Sequence, residues 1–189
     1  MRSIYKIVVC SLLTLSITSC EKDLLEKEQY QKEIYLIGAY NRVWTTEVSY
    51  SNEEVKTYFT VSSSGTLALD RDVNVKMKIN EELVDIYNKK YWTVLNEDKY
   101  YKSLDTDLYS IPSLENTVIK HAEGISAEVP VLIKTASLKI DQSYVIPVEI
   151  ESTTGYPISE SGYKMLILLK LKNDYSGSYQ MSGHTTLEG

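Results

Sequence analysis

Two stretches of the chain alternate between apolar and polar residues with a period of two. In residues 55–61, Val, Thr, Phe and Val occupy every second position, with Lys, Tyr and Thr between them. In residues 73–79, Val, Val, Met and Ile alternate with Asn and Lys. Because successive side chains of a β-strand point to opposite faces of a sheet, this period predicts two half-buried strands.

Four further apolar runs predict additional strands, at residues 34–37, 129–133, 144–150 and 165–171. The last run is apolar on both faces, which is typical of a strand in the interior of a sheet. Pro147 lies inside the run 144–150 and has no amide hydrogen to donate to a neighbouring strand. That run therefore predicts an edge strand or a bulge.

One short helix is predicted after the second alternating strand. Asn80 is a favourable N-cap, and Glu81 and Glu82 place acids in the first turn, where the helix dipole favours them. Apolar residues follow at helical spacing in residues 83–87. About seven short strands with a single helix predict an all-β sandwich.

The N-terminus has the pattern of a secretory signal. Arg2 and Lys6 precede eleven uncharged, mostly apolar residues, 7–17. This stretch is shorter than the ~20 residues that a membrane-spanning helix needs, so it predicts a cleaved signal. Residues 17–20 (Ile-Thr-Ser-Cys) resemble a bacterial lipobox, which implies that Cys20 becomes the acylated N-terminus of a lipoprotein. The alternative is an ordinary signal with an incidental cysteine.

These features divide the chain into four predicted segments: a signal peptide (1–19), a charged tether (20–32), a β-sandwich domain (33–173) and a tail (174–189). The net charge is −6, and losing Arg2 and Lys6 with the signal makes it more negative. A nucleic-acid partner is not expected because the chain lacks a basic footprint. Removal of Cys10 and acylation of Cys20 leave no free thiol, which excludes cysteine catalysis.

An ordered set of motifs in residues 72–171 resembles the family called domain of unknown function 1735. The set comprises the alternating strand 73–80, the helical segment 83–88 ending in Tyr-Asn, Trp92, Tyr100, the strands 129–134 and 164–171, and the Tyr-Val-Ile-Pro of residues 144–147. Leu95-Asn96 replaces the family's Leu-Pro, and the loop after Asn88 is short. The resemblance implies an immunoglobulin-like sandwich at the N-terminus of surface lipoproteins from glycan-degrading gut bacteria. Residues 173–179 resemble the start of the second domain that often follows it.

Catalytic and metal sites find little support in the sequence. Residues 70–81 begin like a calcium loop, but Val75 stands where the loop needs Gly, and Lys76 and Lys78 add positive charge. Pairs of acids such as Asp105 and Asp107 are expected to be surface charges. His121 and His184 are the only histidines, and no Gly-x-Ser-x-Gly motif accompanies them. No enzyme activity, metal or cofactor is therefore predicted.

Aromatic side chains are the best candidates for a ligand surface. An exposed aromatic ring can pack against the apolar face of a sugar, and its polar edge can form hydrogen bonds. Trp92 and Tyr100 occupy positions that the family fills with aromatics, so they are predicted to be structural. Trp44, Tyr91 and Tyr101 are the predicted ligand-binding residues.

Three functions remain open from the sequence. The first is a non-catalytic surface lipoprotein of the outer membrane that binds or presents a glycan. The second is a structural spacer that docks outer-membrane partners. The third is the N-terminal accessory domain of a longer enzyme, since some relatives are fused to family-18 glycoside hydrolases.

Overall fold

The computed structural model describes residues 27–172 together with residues 180, 182 and 183. The predicted signal, Cys20 and residues 21–26 of the predicted tether lie outside the described residues, as does most of the predicted tail. The predicted sandwich domain is described up to residue 172.

The described chain forms two β-sheets and one α-helix. The strands are β1 (Ile34–Leu36), β2 (Val43–Ser49), β3 (Glu54–Ser63), β4 (Val73–Ile79), β5 (Lys102–Ser103), β6 (Tyr109–Ser110), β7 (Thr117–Ile119), β8 (Ser126–Lys134), β9 (Tyr144–Thr153) and β10 (Lys164–Lys172). The helix α1 (Glu82–Tyr91) lies between β4 and β5. There are also three short 3₁₀ segments in the described chain, at Ala39–Asn41, Val94–Lys99 and Thr106–Leu108.

The two sheets differ in size and pairing. One has the strand order β1-β3-β8-β6 and is antiparallel throughout. The other has the order β2-β10-β9-β4-β7, with β5 beside the start of β9. In this larger sheet β2 runs parallel to β10, so the first long strand of the chain pairs with the last one. The all-β sandwich predicted from the sequence is confirmed.

The main core lies between the sheets and follows the predicted alternation. In β4, Val73, Val75 and Met77 are buried, whereas the intervening Asn74 and Lys76 are exposed. The largest fully buried side chain is Phe59 of β3, which packs in the same core. Each fully buried side chain of this size contributes roughly 1.5–3 kcal/mol through removal from water.

A second, smaller core lies on the outer face of the larger sheet, under α1. Leu83 and Val84 of the helix pack there with Val145 of β9 and Leu166 of β10. The neighbouring Met165 and Ile167 of β10 instead face the main core. The run 165–171 is apolar on both faces because one face meets the other sheet and the second meets α1. Its predicted interior position is confirmed by β9 and β2 on its two sides.

The expectation that Pro147 marks an edge strand is wrong, because β9 lies between β10 and β4. The pairing of β9 with β4 ends at Val148, which lies opposite Ile79. Pro147, the residue before Val148, is therefore just outside this pairing. Its carbonyl still accepts a hydrogen bond of 3.1 Å from the amide of Asn80. The missing N–H is tolerated because no strand residue opposes it on that side. The irregularity of the β4–β9 pair lies elsewhere, between Lys76 and Met77.

The described chain has ten strands, whereas the sequence predicts about seven. The difference comes from strands of two or three residues, such as β5, β6 and β7. Runs of that length carry no detectable period of two. The predicted cap of α1 is present, since Asn80 Oδ1 accepts a hydrogen bond of 3.2 Å from the amide of Glu82.

Candidate functional site

Three tyrosine rings stack beside one another where α1 ends. The rings of Tyr87 and Tyr91 have centroids 4.5 Å apart and are tilted by 33°. The rings of Tyr87 and Tyr101 have centroids 5.2 Å apart and are nearly parallel, at 12°. We call Tyr91, Tyr87 and Tyr101 the tyrosine stack. Such pairs add about 0.5–1.5 kcal/mol beyond the area they bury.

The helix and the loop after it position the three rings. Tyr87 and Tyr91 are four residues apart, so they lie on the same face of α1. Asn88 is buried, and its side chain holds the backbone of Tyr101. Its Nδ2 donates to the Tyr101 carbonyl at 2.9 Å, and its Oδ1 accepts from the Tyr101 amide at 3.0 Å. This pair of hydrogen bonds places the Tyr101 ring against the ring of Tyr87.

The three rings of the stack differ in exposure. Tyr87 and Tyr101 are half-buried, and Tyr91 is 49% exposed. Burial, together with the neighbouring phenols of Tyr101 and Tyr91, raises the pKa of Tyr87 to about 12. The Tyr87 phenol is therefore neutral and able to donate a hydrogen bond throughout the physiological range.

A cleft of about 370 Å³ opens next to the tyrosine stack, and Tyr87 belongs to both. We call it the α1 cleft, since one wall is formed by the helix residues Leu83, Ile86 and Tyr87. The opposite wall comes from the 3₁₀ segment before β2 and from the start of β10. Its lining side chains there are Ala39, Tyr40, Arg42, Glu160, Ser161, Tyr163, Lys164, Met165 and Leu166. The volume falls within the range of small-molecule sites.

The α1 cleft combines aromatic and charged side chains. Tyr40 is 87% exposed at its rim, and Lys164 Nζ lies 4.8 Å from the centre of the Tyr163 ring. Arg42 is the only residue other than glycine with a positive φ, at 62°, among the residues that the structure describes. Its carbonyl accepts a hydrogen bond of 2.8 Å from Leu166, which fixes the backbone against β10.

The three predicted ligand-binding residues separate into two groups. Tyr91 and Tyr101 are brought together, with Tyr87 between them. Trp44 is not part of that group, because its neighbour Val43 packs in the core under α1 and successive strand residues face opposite ways. The Trp44 ring lies over Gly38 instead, and 38% of this side chain is exposed.

Tyr87 and the far wall of the α1 cleft are not among the residues predicted from the sequence. The spacing of Tyr87 and Tyr91 by four residues was a signal for adjacent rings on one helix face. The approach of Arg42 and Lys164 to α1 had no such signal, since it depends on the pairing of β2 with β10. Trp92 is half-buried, and its indole Nε1 is buried with no hydrogen-bond partner in the described structure.

The other residues that the sequence singled out for chemistry are held in pairs on the surface. His121 Nδ1 lies 2.6 Å from Asp72 Oδ1, and the His121 amide donates to the same oxygen at 3.0 Å. This contact holds the pKa of Asp72 below its usual value. Asp70 binds Arg71 and the hydroxyl of Tyr156. These contacts tie the start of β4 to the neighbouring loops.

Acidic side chains do not gather into a metal centre in the described part of the chain. No group of three or more His, Cys, Asp or Glu is arranged there to hold an ion. Asp105 and Asp107 line a second depression, of about 570 Å³, together with Tyr144. His184 lies outside the described residues. Within the described ranges, no helix has the length and apolar character needed to cross a membrane.

Comparison with known proteins supports the resemblance seen in the sequence. A family model for an N-terminal domain matches residues 30–157. A multidomain protein from Bacteroides ovatus that includes domain of unknown function 1735 has the same fold, with a TM-score of 0.58 and 20% identity. The chain belongs to this family. The matched residues include α1 and the tyrosine stack and end just before Glu160 of the α1 cleft.

Two further solved structures share the fold of the family. An auxiliary nutrient binding protein from Bacteroides thetaiotaomicron aligns with a TM-score of 0.59 and 16% identity over 74% of this chain. EndoBT-3987 from the same species, solved with a Man5GlcNAc product, aligns with a TM-score of 0.53 and 20% identity over 73% of this chain. A search of curated proteins finds no match.

The family member described here aligns with only part of each of these structures. It covers 43% of the multidomain protein, for which the alignment takes in 72% of this chain. It covers 47% of the nutrient binding protein and 30% of EndoBT-3987. At these identities the likeness establishes the fold alone.

Proposed function

We propose that this domain is a non-catalytic glycan-binding or glycan-presenting module of a glycan-utilisation system. The observation that carries the proposal is the tyrosine stack beside the α1 cleft. A sugar ring has an apolar face and a polar edge, and the site offers a matching aromatic wall and polar groups. Asp70, Asp72 and His121, which the sequence singled out for chemistry, contact surface partners outside this site.

The relatives support the same class of ligand. One relative is called an auxiliary nutrient binding protein, and another was solved with the glycan product Man5GlcNAc. Both share the fold that contains α1 in this chain. A role in handling glycans is therefore consistent with the site and with the family, and the particular sugar is to be found by experiment.

A glycan-array screen of the purified protein tests this proposal. We expect saturable binding that is weakened by Tyr101→Ala and by Tyr87→Leu. The control is Tyr58→Ala, which removes an exposed tyrosine (42%) from β3 in the other sheet. The Trp44→Ala variant tests the remaining predicted residue. Absence of binding to every glycan by a protein with an intact β-sheet spectrum would refute the proposal.

We also propose that the domain is lipid-anchored at Cys20 and displayed at the outer membrane. The lipobox of residues 17–20 supports this proposal, because it implies that Cys20 carries acyl chains. Two or more such chains anchor a protein stably to a membrane. The test is the mass of the mature N-terminal peptide and the distribution of Cys20→Ala between membrane and soluble fractions. A wild-type peptide without acyl chains would contradict it.

A docking role is the second candidate function. Val94 and Leu95, in the 3₁₀ segment after α1, are 76% and 93% exposed. Such a pair of apolar side chains could seat in a pocket of a partner protein. We expect Val94→Ser combined with Leu95→Ser to abolish cross-linking to outer-membrane proteins if this segment docks a partner. Unchanged cross-linking would count against it.

An accessory role in a longer enzyme is compatible with binding. In this version the domain would hold the substrate near a catalytic domain. Reading the coding DNA beyond codon 189 tests it directly. An in-frame hydrolase domain would support the accessory role, and a stop codon would refute it.

A further inference from the structure

The charges of the α1 cleft differ in sign from those of the whole chain. Arg42 and Lys164 line the cleft with a single acid, Glu160, whereas the net charge of the chain is −6. No carboxylate lies within ion-pair distance of Arg42 or Lys164 in the part of the chain that the structure describes. Two other lysines of the larger sheet are paired, Lys76 with Glu151 and Lys172 with Glu47. The described lining of the cleft therefore carries one more positive charge than negative charge, and neither Arg42 nor Lys164 is held in an ion pair there.

The backbone of Arg42 is held in a conformation that an arginine rarely adopts. Its φ of 62° and ψ of −18° lie in the left-handed region. The amide of Arg42 donates to the Ala39 carbonyl at 2.8 Å, and its carbonyl accepts from Leu166. Glycine or asparagine would occupy this position with less strain. Strained residues that the surrounding structure holds in place cluster at ligand sites.

We infer that the α1 cleft binds an acidic glycan, one whose sugars carry carboxylate or sulfate groups. The inference rests on the proposed glycan-binding function and names its class of ligand. The guanidinium of Arg42 matches the two oxygens of a carboxylate or sulfate, and Lys164 adds a point charge. Tyr87 and Tyr40 supply the aromatic walls for the sugar ring.

The acids near the cleft fit this assignment. Glu160 lines the cleft and can accept hydrogen bonds from sugar hydroxyls. Glu82 and Asp85 are exposed on α1, where Lys89 and Lys90 lie in the last turn. The two acids and two lysines of the helix cancel in net charge. The excess positive charge of the site therefore comes from Arg42 and Lys164.

Non-specific attraction would not produce the same result. A protein of net charge −6 repels a polyanion at long range, and salt screens that repulsion. Binding of an acidic glycan must therefore come from local contacts. Direct contacts between two cations and the ligand should still weaken as salt rises, because charge-assisted hydrogen bonds lose their electrostatic part.

The test compares matched acidic and neutral polymers with the purified protein. Polygalacturonate is paired with its carboxyl-reduced form, and dextran sulfate is paired with dextran. We expect binding to at least one acidic member to be about tenfold or more tighter than to its neutral partner. The pair that shows the difference tells whether carboxylate or sulfate is recognised.

Three variants locate the effect. Arg42→Asn removes the guanidinium while Asn tolerates the left-handed backbone, and Lys164→Gln removes the second cation. Each should weaken binding of the acidic polymer by about tenfold and leave the neutral polymer unaffected. Lys170→Gln is the control, since Lys170 lies on the same strand but outside the cleft, near Glu47. A thermal melt of each variant confirms that it is folded.

The possible failures are distinguishable. Equal binding of acidic and neutral polymers, with no effect of Arg42→Asn, would overturn this inference and leave the proposed function standing. Tighter binding of an acidic polymer that is lost equally in Lys170→Gln would overturn it as well, because the charge would not act in the cleft. A folded protein that binds no polymer and no array glycan would overturn both.

Discussion

The side chain of Asn88 closes a two-hydrogen-bond ring with the backbone of Tyr101, thirteen residues later in the chain. Asn88 is only 4% exposed, so both bonds are shielded from water. This contact joins α1 to the loop that precedes β5. It fixes Tyr101 relative to Tyr87, and the geometry of the tyrosine stack therefore depends on a residue that contributes no ring.

Asn88→Ala should lower the free energy of unfolding by about 1–3 kcal/mol, because two backbone groups of Tyr101 lose their partner. It should also weaken glycan binding by releasing the Tyr101 ring. Asn88→Asp keeps the acceptor but sets a carboxylate oxygen against the Tyr101 carbonyl in a buried position, so it should cost at least as much stability as Asn88→Ala. Urea unfolding and binding titrations measure both. A stable Asn88→Ala variant with full binding would show that the ring is not positioned by this contact.

Tyr87 should matter more through its ring than through its hydroxyl. Tyr87→Leu removes the middle of the stack and should weaken glycan binding about tenfold, while Tyr87→Phe keeps the ring and should bind within a few-fold of wild type. Binding titrations with the best array glycan measure the difference. Equal loss in both variants would mean that the hydroxyl is the essential group.

Alkaline pH should destabilise the protein in a defined window. The pKa values of Tyr87 and Tyr109 are raised from 10.0 to about 12, for Tyr87 mainly by burial and for Tyr109 by burial and the charge of Glu81. A raised pKa means that the folded state holds the proton more tightly than the unfolded state. The stabilisation is therefore complete below pH 10 and is lost as the pH rises towards 12.

Urea unfolding at several pH values between 9 and 12, roughly, measures this loss. The control is the double variant Tyr87→Phe, Tyr109→Phe, whose stability should depend less steeply on pH in that window. Tyrosinate absorbance of the folded protein should show a late-titrating component that the double variant lacks. Identical pH profiles of the two proteins would contradict the assignment.

Gly38 should tolerate no side chain. Its φ is +89°, and a Cβ there would lie 2.5 Å from Cε3 of Trp44. Gly38→Ala should cost about 2 kcal/mol or more, from the left-handed backbone and the contact together. Gly124→Ala is the matched control, because Gly124 has a φ of +135° and no atom within 4 Å of an added Cβ.

A double-mutant cycle separates the two contributions at Gly38. Combining Gly38→Ala with Trp44→Ala removes the contact and leaves the backbone strain, so the double variant should lose less stability than the two single losses together. Strict additivity would mean that the Trp44 ring moves away at no cost. The cycle also reports how firmly Trp44 is held.

The long strands of the fold could be predicted from the sequence because the pattern of apolar residues in a strand is local. The alternation of residues 73–79 and the doubly apolar run 165–171 carried enough information to place β4 in the core and β10 in a sheet interior. Pro147 misled because its rule concerns a missing hydrogen bond, and the β4 ladder ends at Val148, just before that bond would be needed. Such an ending is a property of two strands together.

Only part of the candidate site could be predicted from the sequence. Tyr91 and Tyr101 stood out as aromatics near the end of a helix, and Tyr87 lay one helical turn from Tyr91. Arg42 and Lys164 are separated by 122 positions in the numbering, and they line the same cleft only because β2 adds to β10 in parallel. No local pattern reports a pairing of that range.

The direction of β10, which runs parallel to β2, also determines how far the end of this strand lies from the α1 cleft. Lys164, at the start of β10, lines the α1 cleft, while the carbonyl of Lys172 at its end accepts a hydrogen bond of 2.7 Å from Tyr50. At about 3.3 Å per residue, this strand carries the chain roughly 26 Å away from the cleft. The α1 cleft and the end of β10 at Lys172 therefore lie at opposite ends of the larger sheet.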